Sequence, residues 1–244
     1  MADATPGRRR LPTRCRIRRG PLGPRWRSAA HAHLPQRARD PRTRARPPRG
    51  GRVTADRTRG IIARSHRLVI RAKNLGDAAD DYRWRTDPEL ARLDGTRPLE
   101  VPFEEYRRRY ADDVLGPWPD REYYAIDTAE GQHIGNVMLY NLSPGLDSAE
   151  VGIVIGEASF RGRGYGTEAM VALARWAWSE RPWRRLVLHT LEWNERARRC
   201  FERAGFEPVA IVVRRGERYV RMEAAREWWL LWEQEGRFPV PGVG

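Results

Sequence analysis

Six consecutive residues, Arg161, Gly162, Arg163, Gly164, Tyr165 and Gly166, combine two cations with three glycines, a mixture suited to holding an anion. The run Val151 to Ile155 before them reads as a buried strand, and a helical pattern begins directly behind them. A turn between a strand and a helix N-terminus leaves several main-chain N–H groups without partners. The positive end of the helix dipole adds to their pull on negative charge. Glycine is needed where a Cβ would block close approach of the backbone or a positive φ. The segment therefore reads as a cradle for a phosphate-bearing ligand. It holds no lysine and no Gly-Lys-Ser/Thr, which excludes the ATP-binding P-loop. Glycines at 162, 164 and 166 do not fit the Gly-x-Gly-x-x-Gly dinucleotide fingerprint either.

A second constellation lies downstream. The strand Leu186 to Leu191 leads into Asn194, Ala197, Cys200, Phe201, Ala204, Gly205 and Phe206, spaced as Asn-x-x-Ala-x-x-x-Phe-x-x-x-Gly-Phe. The order strand, Arg/Gly loop, helix, strand, Asn-led helix, Gly-Phe resembles the GNAT family of acyl-CoA-dependent N-acetyltransferases over about residues 66–226. Its details look closest to the branch containing the acetyltransferases of ribosomal-protein N-termini.

That resemblance implies a single α/β (α+β) domain with a mixed, mostly antiparallel central sheet flanked by helices. It implies acetyl-CoA as co-substrate, no metal, and an amine acceptor that attacks directly within a ternary complex: a protein N-terminus, a polyamine or another small amine. Arg161, Gly162, Arg163, Gly164, Tyr165 and Gly166, extended by Thr167, would anchor the pyrophosphate. Main-chain N–H groups of Ile153, Val154 and Ile155 would polarise the thioester carbonyl and pair with the pantetheine arm, since a peptide-like arm can add along a strand edge. Asn194 would bond the pantetheine or a water, while its residue type also suits a helix N-cap. Both roles fit one geometry. Phe201 would contact the co-substrate where the family often carries a tyrosine that protonates the departing thiolate. Phenylalanine cannot donate a proton, so no phenolic acid is expected at 201. With a thiol pKa of ~8.5 the thiolate is already a fair leaving group.

Proton removal from the acceptor sets the remaining demand. A lysine-like amine of pKa ~10.4 costs about 4.6 kcal/mol to deprotonate at pH 7, an α-amine near ~8 only about 1.4 kcal/mol. One carboxylate acting through a water suffices for the latter, and Glu150, at the start of the co-substrate strand, is the first candidate. His189 alternates with Leu188 and Thr190 and reads as a half-buried histidine, Cys200 as packing. Asp87, Asp94 and Glu122 are further carboxylates that could line the acceptor side and attract a cation.

The elements that must position these residues are legible in pattern. His66 to Lys73 reads as a strand, and Asn74 or Asp77 caps a helix reaching about Arg85. Asp87-Pro88 starts a helical turn. Residues 103, 106, 110 and 114 give a helical period ended by Gly116-Pro117. Tyr123 to Thr128 and Gln132 to Leu142 read as a hairpin, followed by a Ser-Pro-Gly turn. The helix behind the Arg/Gly loop places Ala169, Ala172, Leu173, Trp176 and Ala177 on one face. Residues 206–213 and 217–223 form a closing hairpin. The segment Trp228 to Trp232 reads as a helix that either covers the domain or joins two copies as a homodimer, core packing being the simpler role.

The formal charge of +14 is local in origin. Residues 1–60 hold eighteen arginines and three aspartates, and the remainder is close to neutral. This Arg/Pro-rich leader has no helical or strand period and is expected to be disordered. It reads as a basic arm for RNA or anionic lipid, as a transit peptide, or as an over-long reading frame with translation starting near Val53. The last is expected, because Lys73 is the only lysine and GC-rich upstream frames read as Arg, Pro, Ala and Gly. The chain then divides into the leader (1–60), an acetyltransferase domain (61–226) and a Trp-rich helix and tail (227–244). No apolar run approaches the ~20 residues that span a bilayer, and the two cysteines form neither a disulfide framework nor a metal-ligand spacing. A cytoplasmic protein with neither membrane nor nucleic-acid partner is expected. The competing readings are an acyl-CoA-binding sensor without turnover and an RNA- or ribosome-associated protein guided by the leader.

Overall fold

The computed structural model describes residues 60–115, 118–142 and 145–238. The leader and its expected disorder lie outside these residues, as do Gly116-Pro117 and the start of the Ser-Pro-Gly turn. The chain runs β1 (Ile61–Arg64), β2 (Leu68–Ala72), α1 (Ala78–Thr86), α2 (Pro88–Leu93), α3 (Phe103–Leu115), β3 (Arg121–Thr128), β4 (His133–Tyr140) and β5 (Ser148–Ile155). It continues through α4 (Tyr165–Glu180), β6 (Arg185–Leu191), α5 (Glu195–Arg203), β7 (Glu207–Arg214), β8 (Glu217–Ala225) and α6 (Arg226–Gln234).

One eight-stranded sheet has the order β1-β2-β3-β4-β5-β6-β8-β7. Every neighbouring pair is antiparallel except β5 with β6, which run parallel. The mixed, mostly antiparallel sheet flanked by helices is the expected architecture. Strand β1 is the addition: four residues pairing with β2, too short to give a pattern.

Helix α4 packs across β1, β2 and β5. Its Ala169, Met170, Leu173, Ala174 and Ala177 are wholly buried against Leu68, Ile70, Ile126, Val137 and Leu188. Small residues let the helix lie close to the sheet, so most of its circumference is apolar. Side chains alternate across a strand, and the opposite face of β2 presents Arg71 and, just past its end, Lys73. Arg71 bonds Asp77 at 2.8 Å and Asp127 at 2.6 Å. Lys73 pairs with Asp81 and donates to Asn136 Oδ1 at 2.6 Å. Helix α1 is therefore docked through a buried bed of charges. The hydrogen bonds from Arg71 and the Asn74 amide hold the Asp77 carboxyl below the usual range, although its burial works the other way. The Trp-rich segment takes the packing role: Trp229 is fully buried, donates to Ala204 O at 2.9 Å and stacks on Phe238 at 4.5 Å.

Candidate active site

Strands β5 and β6 pair only through Ser148–Arg185, Ala149–Leu186 and Glu150–Val187. β4 stays paired with β5 as far as Ile155, and β8 with β6 as far as Leu191. Beyond Glu150 the two parallel strands part, so the sheet opens in its middle and exposes an inner edge of β5. Gly156 N donates to Ile134 O at 2.9 Å, on the β4 side. Main-chain groups alternate in direction along an antiparallel strand, so Val154, two residues earlier, also faces β4, and Ile153 and Ile155 turn toward the opening. The free-amide role expected of three residues is thus available at Ile153 and Ile155, while the Val154 amide is directed into the sheet.

The opening continues into a cleft of about 350 Å³, lined by Val151–Ile155, Phe160–Gly162, Gly164, Gly166, Thr167, Leu188–Leu191, Asn194, Ala197, Cys200 and Phe201. The Arg/Gly turn stands at its far end. Gly162 and Gly164 adopt φ of +74° and +88°, and Gly164 is the residue before α4. No side chain caps this helix, and Glu168 N is the first amide bonded back, to Gly164 O at 3.0 Å. The amides of Tyr165, Gly166 and Thr167 are left without intrahelical partners beside the cleft. Gly166 serves a different need: a Cβ there would lie 3.2 Å from Cys200 Sγ, so its absence lets α4 and α5 meet.

Of the two arginines expected to anchor the pyrophosphate, only Arg163 is exposed. Arg161 folds inward, its Nε donating to Ile155 O at 2.9 Å and its Nη2 to Gly156 O at 2.5 Å, with Glu89 3.4 Å from Nη1. It braces the turn against β5. Arg163 stays exposed, touching Ser159 O at 3.2 Å. Arg67, outside the Arg/Gly motif, bonds Glu168 in the first turn of α4, donates to Arg163 O at 3.2 Å and lies 4.4 Å over the Tyr165 ring. Exposed Arg196, Arg199 and Arg203, also outside the expected site, line the cleft from α5. Their spacing of three and four residues was a usable helical signal; the Arg67 contact had none, because it joins positions 101 residues apart.

Asn194 is buried at the start of α5. Its Oδ1 accepts from Ala197 N at 3.2 Å, the N-cap bond, and its Nδ2 donates to Leu93 O at 3.4 Å. The second bond carries the end of α2 across the opening. There Gly95 lies so close to Tyr219 of β8 that a Cβ would stand 2.2 Å from the phenol oxygen. Phe201 is buried on the cleft wall and packs edge-on to Phe206 at 6.4 Å. Burial pushes the neighbouring Cys200 thiol up, and its Sγ accepts from Thr167 Oγ1 at 3.4 Å.

Where the strands part, Glu150 Oε1 lies 2.9 Å from His189 Nδ1, and Asn141 Nδ2 donates to Glu150 Oε2 at 3.0 Å. Asp94 lines the cleft nearby. Asp87 and Glu122 are occupied elsewhere. Asp87 caps α2 by accepting from Glu89 N at 2.7 Å and Leu90 N at 3.2 Å. Glu122 pairs with Arg181 at 2.8 Å. Among the described residues no group of three or more His, Cys, Asp or Glu is placed to hold a metal ion, and no helix is long and apolar enough to cross a membrane.

Fold and site together define an α/β domain with an opened sheet and an anion cradle at the end of the opening. The chain belongs to the GNAT acetyltransferase family: residues 67–207 match the acetyltransferase (GNAT) domain. An N-acetyltransferase 9-like protein of Caenorhabditis briggsae is 30% identical over 142 residues, spanning 53% of this chain and 69% of that protein. Among solved structures, spermidine N-acetyltransferase from Vibrio cholerae in complex with CoA and spermine superposes with a TM-score of 0.59 at 20% identity, covering 67% of this chain and 98% of that one. An aminoglycoside acetyltransferase in complex with coenzyme A gives a TM-score of 0.58 at 22% identity, covering 68% and 99%. Acetyl-CoA is accordingly the co-substrate, and the unpaired amides at 165–167 fit its diphosphate.

Proposed function

We propose that the protein transfers an acetyl group from acetyl-CoA to a primary amine by direct attack within a ternary complex. The observation that carries this reading is the parting of β5 from β6 beyond Glu150, with the uncapped N-terminus of α4 at the far end. In this reading the diphosphate lies on the amides of Tyr165, Gly166 and Thr167. The pantetheine runs along β5 against Ile153 and Ile155, with Asn194 facing it. A main-chain N–H at Ile153 polarises the thioester carbonyl, a type of charge stabilisation that costs no reorganisation because the donor is already fixed. The amine nitrogen bonds to the carbonyl carbon as the carbon–sulfur bond breaks. Glu150 takes the amine's proton, directly or through a water, and the thiolate leaves without a phenol at 201. Domain limits of 61–226 for the catalytic unit, and a cytoplasmic location, go with the same reading.

In this reading the acceptor approaches beside the bridge made by Leu93 on Asn194 and Gly95 near Tyr219, and it is a protein N-terminus, a polyamine or another small amine. Spermine in the Vibrio cholerae structure supports a polyamine, while the motif details that resemble the ribosomal-protein branch support an N-terminus. Isothermal titration with acetyl-CoA, followed by release of free thiol over a panel of peptides, polyamines and aminoglycosides, is the direct test. Binding followed by turnover on one class is expected. Tight binding with no thiol release on any amine would make the protein a sensor instead.

A further inference from the structure

The bond between Glu150 and His189 is part of a longer chain. Asn141 Nδ2 donates to the second oxygen of Glu150, and Arg214 Nη2, at the end of β7, lies 3.0 Å from His189 Nε2. A guanidinium can only donate, and a neutral imidazole donates from one nitrogen while accepting at the other. Nε2 therefore carries the lone pair that receives Arg214, and the ring proton sits on Nδ1, directed at Glu150. The side chains of His189 and Glu150 are only 10% and 15% exposed, so water competes weakly for these bonds. Asn141 and His189 thus bond the two oxygens of one carboxylate, and Arg214 acts on it through His189.

We infer that His189, its tautomer fixed by Arg214, is a positioning residue that holds Glu150 oriented and free of an ion-pair partner, ready to accept the amine's proton. This rests on the reading of Glu150 as proton acceptor. One proton leaves the amine and arrives on Glu150, and His189 and Arg214 keep theirs throughout. Without Arg214, Nε2 is open to protonation, and an imidazolium would pair with Glu150. An opposite charge at that distance stabilises the carboxylate and makes it a poorer base. The other charged or titratable groups around the ring are placed by strand register. Arg221 lies opposite His189 on β8 and is paired with Glu223 at 2.5 Å. Tyr219 lies two residues along β8, Tyr140 opposite Glu150 on β4, and Asp94 across the cleft. Both ring nitrogens already have partners other than these.

The test is the pH dependence of kcat/KM for the amine in wild type and in Arg214→Met, Arg214→Lys, His189→Gln and His189→Ala, with acetyl-CoA Kd and Tm measured for each. Arg214→Met is expected to lose about tenfold in kcat/KM relative to wild type on the acid side of the profile and to recover as pH rises, with acetyl-CoA Kd unchanged. Arg214→Lys keeps a donor cation and restores the profile. His189→Gln retains an N–H donor and should exceed His189→Ala by about tenfold in kcat, a fraction of the ~10²–10⁴-fold that general-base catalysis supplies. An Arg214→Met profile superposable on wild type, or His189→Ala equal to His189→Gln, overturns the inference. Undiminished kcat in Glu150→Gln overturns the reading beneath it, and that result is separate from the other two.

Discussion

Gly164 shows how much one missing carbon can decide. Its φ of +88° lies where an L-residue pays about 1–2 kcal/mol, and the amides behind it point at the cleft only because the chain turns there. Gly164→Ala is expected to weaken acetyl-CoA binding about tenfold by titration calorimetry, since 1.4 kcal/mol is tenfold in affinity. Substitution can separate the N-cap bond of Asn194 from its proposed contact with the pantetheine. Asn194→Ala removes the N-cap bond and should cost about 1 kcal/mol in unfolding free energy. Asn194→Ser keeps a capping oxygen and should restore Tm, while KM for acetyl-CoA stays raised in both variants. A KM restored together with Tm would leave Asn194 with the cap alone.

At the scale of elements, the first turn of α4 is tied to the β1–β2 hairpin by one carboxylate. Glu168 accepts from Ser65 Oγ at 2.6 Å and from Arg67 N and Nε at 2.9 and 2.7 Å. Burial pushes this carboxyl up, yet those bonds more than offset it and hold the group below its usual value. A depressed carboxyl stabilises the fold above its unfolded-state value and loses that contribution as pH falls through the folded one. Glu168→Gln should therefore cost about 2 kcal/mol at pH 7, in line with bonds to a charged group. The difference from wild type should shrink in denaturant titrations below pH ~4.3. The helices and hairpins were legible because their periods are local: the Ala169, Ala172, Leu173, Ala177 stripe and the Arg215-Gly216 turn announce themselves within a few residues. Ser65, Arg67 and Glu168 gave no such signal, and neither did Arg161, whose inward turn depends on where the Ile155 and Gly156 carbonyls end up. Glu150 was legible as a candidate by position on its strand; its partners Asn141, just past β4, and His189 on β6 were not, nor was Arg214 behind His189.

Across the whole molecule, stability and access pull on the same sheet. The α1 face is held by Arg71 between Asp77 and Asp127, with side chains 5–12% exposed. Arg71→Met leaves two carboxylates facing each other without a cation, and breaking such a buried pair costs about 3–5 kcal/mol, readable as a fall in the denaturation midpoint. The other half of the sheet is joined to this one by three residue pairs of β5 and β6. So narrow a seam should let the halves breathe against each other, and a thioester laid along the Ile153–Ile155 edge would act as mortar between them. Hydrogen–deuterium exchange at those two amides and along the outer end of β6 should slow on loading with acetyl-CoA, while exchange in β2 and β3 stays as it was. A co-substrate that repairs the architecture it enters would make order in the catalytic centre conditional on supply of the acyl donor.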